Sequence, residues 1–408
     1  MTYENGRKPA VGIMANTIWR ARAPDSALDV VLLTHPRDDT DLSRLLPWLT
    51  GFNADYRLTL MRHLRPVLGE VIEMPMLKAG IMFLTCPAED IVNPRTRRRC
   101  REILEQEALP RIAETGAKVV CLGGLTASLT GYGRRIRDRA EALGLRITSG
   151  HSATVVNMLS TMETALNALD RPIERSSVVV MGMGSVGTGF ARLLLEHRPL
   201  PRELVLMDLP SRRGYSEELA GELHRSTGCE IRVASTAPNG RVPPGGSPYR
   251  CDILVSAINA SHVIEVDKLA PGTLLVDDSQ PWCWSRDDAW QRCMEHQDII
   301  PCEAGLVDCS HLNYVSHFPF DFADHDAQGS RTAWCCLTEG LMMALDPSLP
   351  PTEAIPETAQ LVLYDRAYAR LGFRPAPLQC GPHALPIESL RARETELGMV
   401  GKVGDMDV

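Results

Sequence analysis

Ser176-Ser177-Val178-Val179-Val180-Met181-Gly182-Met183-Gly184-Ser185-Val186-Gly187-Thr188-Gly189-Phe190-Ala191-Arg192-Leu193-Leu194-Leu195-Glu196-His197 is the stretch from which the architecture follows. An apolar run rich in valine reads as a buried strand, and the segment from Val186 to Glu196 reads as a helix. Between them Gly182, Gly184 and Gly187 make a GxGxxG turn, with Ser185 and Val186 inside it. In a strand–turn–helix setting the first glycine permits the tight turn. The second lets backbone approach a pyrophosphate, and the third lets helix and strand pack closely. Free N–H groups and the dipole at the helix start favour the phosphate charge. The pattern therefore predicts a dinucleotide site, against the plainer reading of a glycine-rich turn with no ligand.

Working outward, ELVLMDL, EIRVAS, DILVSAI, TLLVDDS and DIIPCEA supply further strands separated by helical segments. That alternation predicts a parallel sheet with crossover helices. Asp208 ends the second strand, 21 residues after Gly187. An acid there accepts from the ribose hydroxyls of NAD. Arg212 and Arg213 follow directly and suit a 2′-phosphate instead, unless they are a solvated turn. The reading leans to NADPH, with NADH open. Asn259, at the end of DILVSAIN, either lies near the nicotinamide or caps a helix.

Upstream, Pro94 is predicted to open a long helix to about Thr115, followed by the strand AKVVCLGG, a helix over 133–143, the strand LRITSG and a helix over 153–169. The polar connector RPIERSS marks a boundary. The expected fold is α/β: a Rossmann-type doubly wound parallel sheet, a second α/β substrate domain and C-terminal helices. The expected segments are 1–155, 156–322 and 323–408. A helix is expected after Asp326, running through Cys335, Cys336 and Glu339 to Leu345, and weak structure after Gln379.

The chain has 408 residues, 44% hydrophobic and 23% charged, with a formal net charge of −8. Those values suit a soluble globular protein and argue against a nucleic-acid binder, which needs a basic footprint. No run of 18 apolar residues predicts a membrane span, and MTYENGRKPAVGIMANT lacks a secretory core, so a cytoplasmic location is expected. Twelve cysteines are scattered with no CxxC pair. The run Cys283, Cys293, His296, Cys302, Cys309, His311 does not match zinc spacing, and no metal is expected.

Several stretches together resemble the cyanobacterial long-chain acyl-carrier-protein reductases. LGGLTA (Leu122–Ala127) is similar to the family's LGGFTS, TSGHSAT (Thr148–Thr154) to TTGNTHT, CCLTE (Cys335–Glu339) to ACFAE, and GFRP (Gly372–Pro375) to GFQP. The order and spacing hold over about residues 75–378. The resemblance implies NADPH-dependent reduction of an acyl thioester, on acyl carrier protein or CoA, to an aldehyde. It implies Cys336 as the nucleophile that carries the acyl group. By residue type alone Cys336 reads as a small buried hydrophobe, with Cys335 as a competitor. Candidate donors to the developing oxyanion are the Gly123-Gly124 backbone, Thr126, Ser149 and His151. The glycines also read as a turn, and His151 as a helix-start residue. Glu339 orients groups in the site or is an exposed helix carboxylate. Arg95, Arg97, Arg98, Arg99 and Arg101 form either a docking patch for an acidic carrier or a solvated helix face. The departures are Leu125 and Leu337 at the family's phenylalanines and a total of seven Phe. They point to a shorter or more polar acyl group. The competing readings are a dehydrogenase of an alcohol or hydroxy or amino acid, and a non-catalytic nucleotide-binding protein.

Overall fold

In the computed structural model, residues 27–36, 39–279, 281–316 and 331–396 are described. They divide into two compact units. Among the described residues, the first holds those up to His151 with 309–316 and 331–354; the second holds those of 152–308 and 355–396.

The first unit is a five-stranded sheet built from β1 (Val30–Thr34), β2 (Val67–Glu73), β3 (Lys78–Phe83), β4 (Val119–Leu122) and β5 (Arg146–Thr148), in the order β2-β3-β1-β4-β5. β1 pairs in parallel with β3 and β4, and β4 with β5; only the edge strand β2 is antiparallel. β1 is buried over its whole length, which is why VVLLT shows no polar alternation. The chain moves from β1 to one side of the sheet and then crosses to the other, so the carboxyl ends of β1 and β4 flank a switch point. Ligands of open α/β sheets sit at such points.

The long helix expected after Pro94 is broken into Arg97–Ile103, a π-turn over Leu104–Ala108 and Leu109–Glu114. Pro110 has no N–H to give to the preceding turn, and the backbone widens locally around it. The helix expected over 133–143 is shortened to Arg137–Ala142.

The second unit carries the predicted parallel sheet: β6 (Ser177–Met181), β7 (Glu203–Asp208), β8 (Ile231–Ser235), β9 (Ile253–Ser256), β10 (Thr273–Asp277) and β11 (Ile299–Glu303). Their order is β11-β10-β9-β6-β7-β8, all parallel. This is the doubly wound Rossmann order, with its switch point between β6 and β9. Pro301 is tolerated because β11 is an edge strand. The Pro/Gly stretch around Val242 adds only the short turn Ser247–Tyr249. After Gln379 come a two-residue hairpin and the helix Ile387–Glu396, more order than the sequence suggested.

The units depart from the expected segments. The first cut falls after His151 rather than after 155, and residues 331–354 belong to the first unit rather than to a separate C-terminal block. The cause is the apolar helix Cys335–Leu345, whose face packs on β1 and β4: Leu337 and Leu341 are fully buried, and the Cys121 Sγ lies 3.9 Å from the Leu337 carbonyl. That helix starts at Cys335, after the short strand Thr332–Trp334, while Asp326 lies outside the described residues. The stretch MTYENGRKPAVGIMANT, read as lacking a secretory core, also lies outside them. No helix among the described residues is long and apolar enough to cross a membrane.

Candidate functional site

In the first unit the carboxyl ends of β1, β4 and β5 gather around Cys336. Eleven of the twelve cysteines are buried; Cys336 is half-buried, while its neighbour Cys335 is 2% exposed. Cys336 is the second residue of the helix Cys335–Leu345, whose start carries no side-chain cap. Helix starts favour nearby negative charge. Gly123, just past β4, sits so close that a Cβ there would lie 3.3 Å from the Cys336 Sγ. Gly150, just past β5 with φ +78°, is closer still: a Cβ would stand 2.4 Å from the Cys336 Cα. Only glycine lets the β5 turn and the cysteine backbone approach this closely.

Beside that contact lie two buried polar atoms with no hydrogen-bond partner among the described residues: Ser149 Oγ and His151 Nδ1. Such orphans are uncommon in folded chains and mark places where a ligand or water completes the bonding. The Tyr132 ring meets the His151 ring edge-on at 5.3 Å. Burial pushes the His151 imidazole down to about 4, so it is neutral at pH 7, with one N–H to give and one nitrogen to accept.

Thr126 does not join them. Its hydroxyl bonds to the Gly123 carbonyl at 2.7 Å and the Leu33 carbonyl at 3.0 Å, so it holds the turn rather than facing a substrate. The Gly123 amide is likewise given to the Leu33 carbonyl, and the Leu125 amide donates to His35 Nε2 at 3.2 Å. His35 was not signalled by any motif. Its Nδ1 bonds to the Pro36 carbonyl at 2.8 Å, which fixes it as the neutral ring that accepts from Leu125. Glu339 is fully buried, not an exposed helix carboxylate: it accepts from the Thr148 hydroxyl and pins the helix to the end of β5. In the arginine cluster, Arg98 pairs with Glu102 at 2.8 Å and Arg97 donates to the Ser128 carbonyl.

The second unit holds the glycine turn. Gly182 has φ +92°, and a Cβ on it would lie 2.6 Å from the Ala257 carbonyl oxygen. On Gly187 a Cβ would fall 2.0 Å from the Gly182 carbonyl oxygen, so this position fixes how closely the helix Ser185–His197 meets β6. Gly184 differs, with no atom within 4 Å of where its Cβ would be. An open, side-chain-free face over a helix start fits a pyrophosphate. Ser185 is buried in the first turn of that helix, and Val186 follows it half-buried.

Asp208 ends β7 as expected. Its carboxylate accepts from the Met183 amide at 2.8 Å and the Leu209 amide at 2.7 Å, which ties it to the glycine turn. Arg212 lies over the Tyr215 ring at 4.4 Å and donates to the Met183 carbonyl at 2.6 Å, 3.8 Å from Asp208. Arg213 points elsewhere: it is exposed and paired with Glu217 at 2.8 Å. Asn259 is exposed beyond β9 and caps no helix, since the next helical turn begins at Val266.

Two acids at the end of β10 were missed by sequence reasoning. Asp277 is buried and accepts from Ser256 Oγ at 2.6 Å and the Ser279 amide at 2.9 Å, with the Cys283 thiol at 3.6 Å. Ser279 in turn accepts from the Ile258 amide at 3.1 Å, so the network steadies the segment that leads to Asn259. Asp278 makes no side-chain hydrogen bond or ion pair among the described residues, and burial, with the Asp277 charge, pushes its carboxyl up to about 8. An unfolded aspartate loses its proton near pH ~3.9. Between about 4 and about 8 the folded chain therefore holds a proton the unfolded chain has lost, and stability falls as pH rises through that window. Asp278→Asn should raise the melting temperature at pH 8.5 by about 2 °C and leave it unchanged at pH 4. An equal shift at both pH values would show that the carboxyl carries no such proton. Cys283 is absorbed by the Asp277 network, and no group of three or more metal-ligating side chains occurs among the described residues.

No family model matches the chain. A stretch of 200 residues, 49% of the chain, is 28% identical to the aminotransferase PigE of Serratia sp. and covers 21% of that protein. The chain therefore spans about a fifth of the curated relative it matches. Among solved structures, L-tryptophan dehydrogenase from Nostoc punctiforme aligns over 92% of this chain and 88% of its own, at 11% identity and a TM-score of 0.36. Quinate dehydrogenase from Corynebacterium glutamicum, in complex with NAD, aligns over 92% and 100%, at 12% identity and a TM-score of 0.30. Scores this low carry no weight on activity. The α/β architecture itself rests on the strand order and the glycine turn of the second unit.

Proposed function

We propose that the chain is an NAD(P)H-dependent oxidoreductase that reduces an acyl thioester to an aldehyde through Cys336. The observation that carries this reading is the setting of Cys336, the one cysteine of twelve that is not buried. It stands at a helix start against Gly150 and Gly123, beside two orphaned polar atoms. The ordered resemblance to long-chain acyl-carrier-protein reductases supports the same residue. NADPH suits Arg212, which lies beside the ribose-binding acid, and NADH suits Asp208 itself.

A thiolate both attacks and leaves well near neutral pH. The Cys336 sulfur adds to the acyl carbon and forms a new C–S bond. The carrier's C–S bond breaks, and its sulfur leaves as a thiol after taking a proton. When bound, a reduced nicotinamide supplies a hydride equivalent. The reduced acyl carbon then loses its bond to Cys336, which leaves as thiolate, and the product is the aldehyde. Through these steps negative charge gathers on the acyl oxygen, and donors aimed at it lower the barrier. The Ser149 hydroxyl and the neutral His151 ring are available for that role. The substrate is an acyl group on acyl carrier protein or CoA, shorter or more polar than a long alkyl chain.

A second reading, a dehydrogenase of an alcohol or a hydroxy or amino acid, is favoured by Asp278. A carboxyl that holds its proton to about pH 8 at the carboxyl end of β10 could serve acid–base chemistry with no thiol.

Intact-protein mass spectrometry after mixing with a panel of acyl-CoA and carrier-bound thioesters separates the two. The expected result is one acyl adduct on wild type and on Cys335→Ala, none on Cys336→Ala, and discharge of the adduct as aldehyde on adding NADPH. Oxidation of an alcohol or hydroxy acid that survives full cysteine alkylation, with no adduct from any thioester, would replace this reading by the second.

A further inference from the structure

The helix Leu125–Thr130 ends in three successive residues with left-handed backbone: Gly131, Tyr132 and Gly133, with φ of +62°, +63° and +91°. The turn is closely specified. The Tyr132 amide donates to the Ala127 carbonyl at 2.7 Å, and the Gly133 amide donates to the Thr130 hydroxyl at 3.1 Å. Glycine adopts such a φ readily, whereas a bulky side chain there is an outlier. Tyrosine thus stands where the backbone asks for glycine. Strain of this kind persists only where the surroundings over-determine it, and it clusters at functional sites.

The Tyr132 side chain meets His151. The two rings stand edge to face, with centroids 5.3 Å apart and planes at 71°, an arrangement that aromatic pairs favour. No hydrogen bond orients this imidazole among the described residues: Nδ1 is buried without a partner, and neither ring nitrogen is bonded. The orientation of a working histidine is ordinarily set by the hydrogen bond that its other nitrogen makes. Here the Tyr132 ring is the contact left to do it. His151 directly follows Gly150, whose backbone lies against that of Cys336.

We propose that Tyr132 is a positioning residue, whose ring holds the His151 imidazole in the orientation from which it donates to the oxygen of the acyl group on Cys336. The proposal rests on the thioester reading of Cys336 and names the residue on which that donor depends. It gives the left-handed tyrosine a use. The phenol hydroxyl takes no part, and no bond forms or breaks at Tyr132.

Tyr132→Phe keeps the ring, and Tyr132→Gly removes it while relaxing the backbone. The ring also packs on the apolar core of the first unit, so relief and lost burial oppose each other. The melting temperature of the glycine variant should therefore move by no more than about 3 °C. Tyr132→Asn, which also tolerates this φ, repeats the measurement if the glycine variant unfolds. Two reactions at one sulfur are compared: acylation by a short acyl-CoA, followed by intact mass, builds an oxyanion, and alkylation by iodoacetamide does not. Each is run in the wild-type background and in His151→Gln, because a residue that acts through another loses its effect when that other is gone. The expected result is acylation slowed by about tenfold or more in Tyr132→Gly, the order that a misplaced group costs, with alkylation within twofold and Tyr132→Phe like wild type. In His151→Gln, adding Tyr132→Gly should change acylation by less than twofold. Equal slowing in both backgrounds overturns the proposal, since the ring would then act without His151. Acylation at the wild-type rate in Tyr132→Gly overturns it, as does a loss in Tyr132→Phe equal to that in Tyr132→Gly. If wild type is alkylated but accepts no acyl group from any CoA or carrier thioester, the thioester reading itself has failed, and that outcome is distinct from the others.

Discussion

Cys336→Ala is expected to lower thioester-dependent NADPH oxidation by about 10⁴-fold or more, the order seen when a covalent nucleophile is removed. The thiol is the only group in the proposed site that can form and release the acyl bond. The remaining donors still bind the carbonyl but cannot hold the acyl group between steps. NADPH binding, followed by fluorescence titration, should stay within twofold, because the glycine turn that would hold it lies in the other unit. Folding should also be spared. Cys336 is half-buried, and its tight contact with Gly150 is made by Cα, which alanine keeps. Cys335→Ala separates position from chemistry: Cys335 is 2% exposed and should cost stability but little rate. Wild-type rates in Cys336→Ala would leave Asp278 as the better starting point for mechanism.

The Rossmann unit was legible because its rules are local. Six apolar runs gave six strands, and their alternation with helices gave a parallel sheet. Positions in GxGxxG have fixed steric jobs, so Gly182 and Gly187 could be assigned before any coordinates. The first unit was less legible. Its sheet was read only in pieces, and the return of residues 331–354 to β1 and β4 depends on contacts far apart in sequence. Cys336 was singled out by resemblance, not by residue type: one cysteine among twelve says nothing until exposure distinguishes it. The oxyanion candidates show the same limit. Thr126 and Ser149 are both small hydroxyl residues just past a strand, yet Thr126 gives its hydrogen to the backbone and Ser149 has no partner. Asp277 and Asp278 sit in no recognised pattern. What distinguishes them is burial and the presence or absence of a partner, which are properties of the fold.

The glycine turn yields the other large effect, and two of its positions should fail in different ways. Gly187→Ala puts a methyl 2.0 Å from the Gly182 carbonyl oxygen, and neither group can swing aside, since one is backbone and the other is fixed to a helix. The helix start must move off β6, at a cost of about 1–3 kcal/mol for overpacking. Melting temperature and cofactor affinity should fall together. Gly184→Ala puts its methyl where no protein atom lies within 4 Å. The fold should not register the change, and the melting temperature should stay within about a degree. If a pyrophosphate occupies that open face, the methyl displaces it, and NADPH affinity should drop about 10–100-fold, equivalent to about 1.4–2.8 kcal/mol. Loss of binding with an unchanged melting temperature at 184, beside joint loss at 187, would locate the phosphates over the helix start. Wild-type affinity in Gly184→Ala would mean that the turn is only a tight strand–helix connection, and the dinucleotide site would have to be sought elsewhere in the second unit.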